Sequence, residues 1–128
     1  MDLEQERNER IARALDRLGR FDRTWAEMFR GYVLDGMYTR EVLDQRTREL
    51  CAVAALTVLD RPGPLKDHIK GALRQGARVE EVIEVITQCS VYGGFPVALG
   101  ALTHLEAVLT ELGVPLPGDA PDDGPGRS

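Results

Sequence analysis

The stretch "QRTRELCAVAALTVLDRPGPLKDHIKGALRQG", residues 45–76, decides the fold that we predict for this chain. Its first half follows Asp44, a residue type that often caps the start of a helix, and becomes almost wholly apolar after Leu50. Such a segment predicts a helix near the centre of the molecule. The "RPGP" break ends it, and Pro64 suits the first turn of a second helix that Gly76 ends. The stretch therefore predicts two successive central helices.

Outward from this pair, the flanking segments also carry apolar residues at helical spacing. These stripes run through residues 4–18, 21–33, 79–92 and 96–112. No segment alternates between apolar and polar residues for long enough to predict a strand. We therefore expect an all-α domain of about six helices packed as a bundle.

The length of 128 residues suits one domain, which we predict to span residues 1–113. Residues 114–128 are rich in Pro, Gly and Asp, and we predict that they are disordered because they offer little to bury. Hydrophobic residues make up 43% of the chain and charged residues 29%, which is typical of a soluble globular protein.

Charge and cysteine usage limit the partners and the compartment. The formal net charge of −5 disfavours nucleic acid as a partner. No run of about 18 apolar residues predicts a membrane span, and the charged N-terminal segment lacks the apolar core of a signal peptide. Cys51 and Cys89 form no CxxC pair and are interpreted as inert small apolar residues. These features favour a cytoplasmic protein with reduced thiols.

The last two helical segments have broader apolar faces than one small bundle needs. Such faces favour a homo-oligomer, in which a second copy of the chain covers the apolar surface that one bundle leaves exposed. The alternative is a larger core within one chain.

His68 is the polar member of an otherwise apolar helix face. Helical spacing places it with Leu65, Ile69, Ala72 and Leu73. One interpretation is a core histidine that is hydrogen-bonded to a backbone carbonyl. The other is a functional imidazole, whose charged form needs a counter-ion.

Glu49 poses the same question at the start of the preceding helix. One interpretation is a weak surface ion pair with Arg46, one turn earlier. The other is a carboxylate at a pocket rim, where it orients a histidine or exchanges a proton with it.

Arginines cluster just before and within the start of this helix, at Arg40, Arg46 and Arg48. They are either solvated charges or a site for a carboxylate, which a guanidinium binds through two parallel hydrogen bonds. The sequence alone leaves both interpretations open.

An apolar segment is interrupted by Gly93, Gly94 and Pro96, directly after Tyr92. The two glycines let a ligand or a helix approach the backbone, and their N–H groups and the Tyr92 hydroxyl are candidates to face an oxyanion. The alternative is a plain glycine cap before a helix that Pro96 begins.

Taken together, these segments resemble the carboxymuconolactone decarboxylase family from roughly Trp25 to Leu112. The resemblance rests on "LDQRTRELCAVAAL" and "LKDHIKGALRQGARVEEVIEVITQCSVYGGFP", which occur in the family's order and spacing. Four elements carry it: an arginine-rich helix start with a glutamate, a histidine in the next helix, a G-x-x-x-E-E-x-x-E segment and a V-Y-x-G-x-P break. In this chain they are residues 46–49, His68, residues 76–84 and residues 91–96.

The alkylhydroperoxidase D branch of the same superfamily is similar but carries a CxxC pair. In register with that branch, the cysteine positions fall on Arg61 and Pro64, whereas Cys51 and Cys89 lie elsewhere. A thiol-dependent peroxidase or reductase is therefore the less favoured function, because no adjacent thiols exist to form the disulfide.

The resemblance implies an alkylhydroperoxidase D-like all-α subunit that assembles into trimers or hexamers, with pockets near the subunit contacts. It also implies decarboxylation without a cofactor, with γ-carboxymuconolactone from aromatic catabolism as the reference substrate. We predict no metal site, because His68, His104 and Glu49 lack the spacing of metal ligands.

For this chemistry we assign His68 as the proton donor to the dienolate and Glu49 as the group that holds its tautomer. Arg40 and Arg46 would bind carboxylates of the substrate. Two alternatives stay open: a family member that acts on a larger substrate in a biosynthetic pathway, and a non-catalytic binding module.

Overall fold

The computed structural model describes residues 2–119, and it is helical throughout. Six helices have seven residues or more, a short α6 adds one turn, and no strand occurs in the described range. The helices are α1 (Leu3–Phe21), α2 (Arg23–Phe29), α3 (Gln45–Val58), α4 (Pro62–Arg74), α5 (Val79–Gln88), α6 (Ser90–Gly93) and α7 (Phe95–Leu112). The all-α prediction with about six helices is therefore confirmed.

The predicted central pair forms an antiparallel hairpin of α3 and α4, which pack against each other more extensively than any other described pair. Asp44 caps α3, because its side chain accepts a hydrogen bond from the Thr47 N–H at 2.7 Å. Asp60 turns the chain between the two helices with a φ of 54°, a left-handed conformation that aspartate tolerates. Gly76, with a φ of 92°, follows the end of α4.

The core lies between α3, α4, α5 and α7. Its largest fully buried side chains are Val53, Thr57, Leu65, Ile69, Val82, Ile86, Leu105, Val108 and Leu109. Burial of one such aliphatic side chain contributes about 1.5–3 kcal/mol, so this cluster is the main source of stability in the fold. The helix α1 lies outside the cluster and packs on α2 and α4.

The final long helix, α7, is the one described helix whose length and composition would allow it to cross a membrane. Its face with Ala98, Ala101, Leu105 and Leu109 is buried in the core cluster. The other faces of α7 are exposed or part-exposed in the single chain.

Three boundaries differ from the sequence-based expectation. Phe21 ends α1 instead of starting the second helix, and α2 continues as a π-helical turn over Arg30–Leu34. The segment predicted as one helix over residues 79–92 stops at Gln88 and resumes as the short α6.

Part of the proline- and glycine-rich tail is described by the structure. Leu116 packs against the core, and Pro117–Asp119 form a 3-10 turn. The prediction of disorder for the rest of residues 114–128 concerns residues 120–128, which lie outside the described residues.

Candidate active site

A cavity of about 250 Å³ lies between α1, α2 with its π-turn, and the hairpin α3–α4. Its apolar side chains come from α1, α2 and the π-turn, and its polar and charged side chains come from α1, α3, α4 and the turn with Tyr38. The residues that border it are Arg7, Arg10, Ile11, Ala14, Phe29, Val33, Leu34, Tyr38, Glu49, Asp67, His68, Gly71 and Arg74.

Glu49 and His68 meet at this cavity. The Oε2 atom of Glu49 lies 2.7 Å from Nδ1 of His68, and the Glu49 side chain is only 6% exposed. An ionised carboxylate accepts hydrogen bonds only, so Nδ1–H of His68 is the donor and the ring's Nε2 is left for a ligand. Neither the surface pair of Glu49 with Arg46 nor a carbonyl-bonded core histidine is found. The prediction that these two side chains converge in a cavity is confirmed.

Gly71 makes room for this pair. A Cβ atom at residue 71 would lie 2.6 Å from Oε2 of Glu49 and 2.8 Å from its Cδ, which is closer than real contacts allow. Gly71 follows His68 by three residues on α4, so both face the same side of the helix. The glycine thus lets the buried carboxylate reach across α4 to the imidazole. The sequence analysis passed over this residue.

Tyr38 is a second cavity residue that the sequence analysis missed. Its ring centroid lies 6.1 Å from that of His68, and the guanidinium of Arg48 lies 6.0 Å from the tyrosine ring. Burial raises the pKa of Tyr38, and the Glu49 carboxylate raises it further. The hydroxyl is therefore a neutral hydrogen-bond donor at physiological pH. Tyr38 lies in a 3-10 turn, where no helical periodicity marks it as inward-facing.

Three arginines border the cavity, and the sequence analysis assigned none of them. Arg7 and Arg10 come from α1, and Arg74 from the end of α4. The sequence contained a pattern that could have indicated Arg74 as a cavity residue. His68, Gly71 and Arg74 follow one another at intervals of three residues on α4, so they are neighbours on the helix surface. Burial raises the pKa of Asp67, which also borders the cavity, and the nearby Arg10 opposes that rise.

The arginines that were predicted to bind carboxylates lie elsewhere within this chain. Arg46 pairs with Glu81 of α5, and its side chain does not border the cavity. Arg40 is exposed, and its backbone carbonyl accepts a hydrogen bond from Arg48 Nη2 at 3.1 Å. The single chain does not bring either of them to Glu49 and His68, so substrate binding by them stays a prediction.

The glycine break is also remote from the cavity. A Cβ at Gly93 would touch Val58 at the end of α3, nine residues and about 14 Å along the helix axis from Glu49. The Gly93 and Gly94 N–H groups donate to the carbonyls of Cys89 and Ser90, at 2.8 and 3.2 Å.

Of the two interpretations of this break, the structure therefore favours the plain glycine cap, because the short helix α6 uses both N–H groups. Gly94, with a φ of 98°, caps α6 and precedes the helix that contains Pro96. Tyr92 is exposed on the outer surface. Substrate binding by residues 92–94 has no support within one chain and stays a prediction.

Neither cysteine borders the cavity among the described residues. Cys51 is exposed and takes no part in the core, so only Cys89 is buried as a small apolar residue would be. Cys89 is buried, and its thiol lies 3.6 Å from the Ala54 carbonyl. Burial raises the pKa of the Cys89 thiol, which keeps it protonated and unreactive.

Within residues 2–119, no group of three or more His, Cys, Asp or Glu side chains is placed to hold a metal ion. The site thus consists of a buried carboxylate paired with a part-exposed imidazole, a neutral tyrosine hydroxyl and several arginines around an apolar cavity. Such a set can hold an anionic ligand and transfer a proton at Nε2 of His68.

Comparison with known proteins identifies relatives. The 4-carboxymuconolactone decarboxylase of Acinetobacter baylyi is 28% identical over 104 residues, which cover 81% of this chain and 78% of that protein. An uncharacterised 15.0 kDa protein of Paracoccus denitrificans is 38% identical over 77 residues, covering 58% of this chain and 57% of its own. A second uncharacterised protein of that organism, from the cox locus, is 46% identical over 44 residues, 34% of this chain and 40% of its own.

The family match itself covers residues 23–107, which include α2 to α6, most of α7 and both members of the carboxylate–imidazole pair. The helix α1, with Arg7 and Arg10, lies before the matched residues. Since the match extends over more than half of the sequence, the chain belongs to the carboxymuconolactone decarboxylase family.

Proposed function

We propose that this chain is a cofactor-independent decarboxylase of a small carboxylated lactone of the 4-carboxymuconolactone type. The observation that carries the proposal is the 2.7 Å contact between buried Glu49 and His68 at the edge of an apolar cavity. The similarity to the decarboxylase of Acinetobacter baylyi supports the same reaction class.

The reaction needs one bond to break and one proton to arrive. The bond between the ring carbon and the carboxylate breaks, and carbon dioxide leaves. The electron pair passes through the ring double bond to the lactone carbonyl, so the substrate is its own electron sink. The resulting dienolate then takes a proton on carbon.

His68 donates this proton as an imidazolium from Nε2, and water restores the proton afterwards because His68 is part-exposed. The Glu49 carboxylate stabilises the imidazolium through Nδ1–H and fixes the direction of the ring. The neutral Tyr38 hydroxyl is available to donate a hydrogen bond to the oxygen that gains charge. The apolar side chains of α1 and α2 keep the reacting carboxylate poorly hydrated, which favours its expulsion.

The size of the cavity favours a small substrate. About 250 Å³ is below the range of roughly 300–1,000 Å³ that is common for sites of drug-sized ligands. A bicyclic or longer biosynthetic intermediate would have to open the wall that α1 forms. The position of both cysteines away from the cavity also disfavours thiol chemistry.

The proposal is tested by incubation of the purified chain with 4-carboxymuconolactone while carbon dioxide release is measured. His68→Ala should lower kcat by about 100-fold to 10,000-fold, because general acid catalysis contributes that much. Glu49→Gln should lower kcat less, since the imidazole remains but loses its charged partner.

His104→Ala is the matched control, because His104 is the other histidine of the chain and does not border the cavity. It should keep wild-type turnover. Full activity of His68→Ala, or no carbon dioxide release by the wild-type chain, would refute the proposal.

A further inference from the structure

Arg74 is a part-buried cation whose hydrogen bonding is incomplete. Its side chain is 13% exposed, and its Nε–H is buried without a hydrogen-bond partner in the described residues. The nearest carboxylate oxygen, Oε2 of Glu4, lies 3.2 Å from Nε but outside hydrogen-bond alignment. Burial lowers the pKa of Arg74, and the neighbouring charge of Arg7 lowers it further. A guanidinium stays charged in proteins, so this site carries a positive charge that an anion would stabilise.

Arg7 shares the same carboxylate. Its Nη1 lies 3.9 Å from Oε1 of Glu4, and both arginines border the cavity. Glu4 itself is 60% exposed and lies on the first turn of α1. An exposed carboxylate at these distances contributes little to stability, and water or another anion replaces it readily.

Arg10, by contrast, is already neutralised. Its Nη1 lies 2.8 Å from Glu6 and its Nε lies 3.3 Å from Asp67. The Glu49 carboxylate, the other acidic group at the cavity, is engaged with His68. Arg7 Nη1 also donates a hydrogen bond to the neutral Oδ1 of Asn8, at 3.3 Å. Among the three cavity arginines, Arg7 and Arg74 are thus the ones whose acidic partner in the described residues is a single exposed carboxylate.

We propose that Arg7 and Arg74 form the subsite for a carboxylate of the substrate, and that the Glu4 side chain occupies this place until the substrate displaces it. This inference rests on the proposed decarboxylation, because it names the groups that hold the carboxylate that is not lost. Two guanidinium groups can bind such a carboxylate through several charge-assisted hydrogen bonds.

The spacing on α4 fits this role. Arg74 follows His68 by six residues, about 9 Å along the helix axis. Both side chains border the same cavity, so one small ligand within it can contact the two of them. A carboxylate at Arg74 therefore places the other end of the ligand beside the imidazole. The subsite orients the substrate, and α1 supplies half of it.

Binding of adipate, a dicarboxylate that cannot undergo this reaction, tests the subsite without turnover. Isothermal titration calorimetry on the full chain should show at least about tenfold weaker binding for Arg74→Gln and a similar or smaller loss for Arg7→Gln, the range for a charge-assisted pair. Glu4→Gln should bind adipate several-fold more tightly, because the internal competitor loses its charge. This gain cannot arise from misfolding.

Arg13→Gln is the control, since it removes one positive charge from an exposed position of α1 outside the cavity. It should bind adipate as the wild-type chain does. In decarboxylation assays, Arg74→Gln should raise KM more than it lowers kcat, and Glu4→Gln should lower KM.

The two proposals fail in different ways. Adipate binding that depends on Arg74 and Glu4, together with no carbon dioxide release, would leave the subsite standing and refute the decarboxylase. If neither Arg74→Gln nor Glu4→Gln changes the affinity for adipate or the KM of decarboxylation, the subsite is refuted and the decarboxylase proposal is not. No adipate binding by the wild-type chain and by Glu4→Gln would overturn it as well.

Discussion

Gly71 illustrates how a residue without a side chain determines the geometry of a charged pair. The Glu49 carboxylate lies so close to Gly71 that a Cβ at residue 71 would be 2.6 Å from its Oε2, so the absence of a side chain there lets the carboxylate contact His68. A glycine inside a helix costs about 1 kcal/mol relative to alanine, so its presence in α4 opposes helix stability. The close approach of Glu49 is the physical reason that we find for it.

We predict that Gly71→Ala displaces the Glu49 carboxylate and separates it from His68. A misplacement of about 1 Å in a catalytic group lowers turnover by roughly 100-fold, and we expect a loss of that order in kcat. The measurement is carbon dioxide release at saturating substrate, with circular dichroism to confirm that the chain remains helical.

The matched control is Gly100→Ala, which changes the same residue type inside α7, where an added Cβ meets no atom within 4 Å. It should keep activity and raise the free energy of unfolding by about 0.5–1 kcal/mol. Equal activity of Gly71→Ala and the wild-type chain would show that the carboxylate relocates without consequence.

At this scale, the sequence predicted the meeting of Glu49 and His68, because each is the odd polar residue on an apolar face of neighbouring helices. Arg74 and Tyr38 were not predicted to be cavity residues, for different reasons. Arg74 lies at a helix end, where a charged side chain is ordinarily solvated. Tyr38 depends on a 3-10 turn, whose direction is set by contacts remote in sequence.

At the scale of elements, α3 shows how a local cap sets the position of a functional residue. Asp44 accepts the Thr47 N–H, so the helix begins at Gln45 and Glu49 lies on its second turn facing α4. The hydrogen bond from the Thr47 backbone lowers the pKa of Asp44. The pKa of Asp44 is lowered only in the folded state. The ionised cap therefore stabilises the fold at pH values above the ordinary pKa of a carboxyl group. This contribution is lost as the pH falls through the lowered value.

We therefore predict that Asp44→Ala lowers the free energy of unfolding at neutral pH, and that its difference from the wild-type chain shrinks as the medium becomes acidic. Urea unfolding across a series of pH values measures both quantities. Asp44→Asn keeps a side-chain acceptor, so it should lose less stability at neutral pH. Its difference from the wild-type chain should change with pH by the same amount as that of Asp44→Ala, because only the wild-type side chain titrates. A constant difference between the wild-type chain and Asp44→Ala at all pH values would contradict the assigned role.

The helices themselves were predictable because their stripes and caps are local features. The hairpin, its N-cap and its glycine end were all evident in the sequence. The π-turn at Arg30–Leu34 and the interruption after Gln88 were not, since both are small departures from helical hydrogen bonding. For the glycine–proline break the sequence left two interpretations open, and the N–H groups that are satisfied within the chain favour the plain glycine cap.

At the scale of the whole molecule, apolar side chains remain on the outside at the corner of α6 and α7. Val91, Tyr92, Phe95 and Leu99 are all exposed in the single chain. Val58 and Leu59, at the end of α3, are exposed as well. Exposed apolar groups on successive turns are typical of a surface that another subunit covers. We propose that this corner is the contact of a homo-oligomer, as the broad apolar faces of the last helices led us to expect.

The corresponding prediction is that the chain forms a trimer or hexamer in solution, and that Phe95→Glu lowers the assembly state. Burial of an unpaired charge in such a contact is strongly unfavourable. Size-exclusion chromatography with light scattering measures the mass of both proteins. Val42→Glu is the control, because Val42 is equally exposed but lies in the loop before α3. A monomeric wild-type chain would refute the proposal.

The residues around the cavity come from two parts of the chain, and this division determines which of them can change independently. The proton-transferring pair comes from one hairpin within the family-matched residues, whereas a large part of the opposite wall comes from a preceding helix outside them. Substitutions confined to α1 can therefore alter which ligands fit the cavity while the carboxylate–imidazole pair stays unchanged.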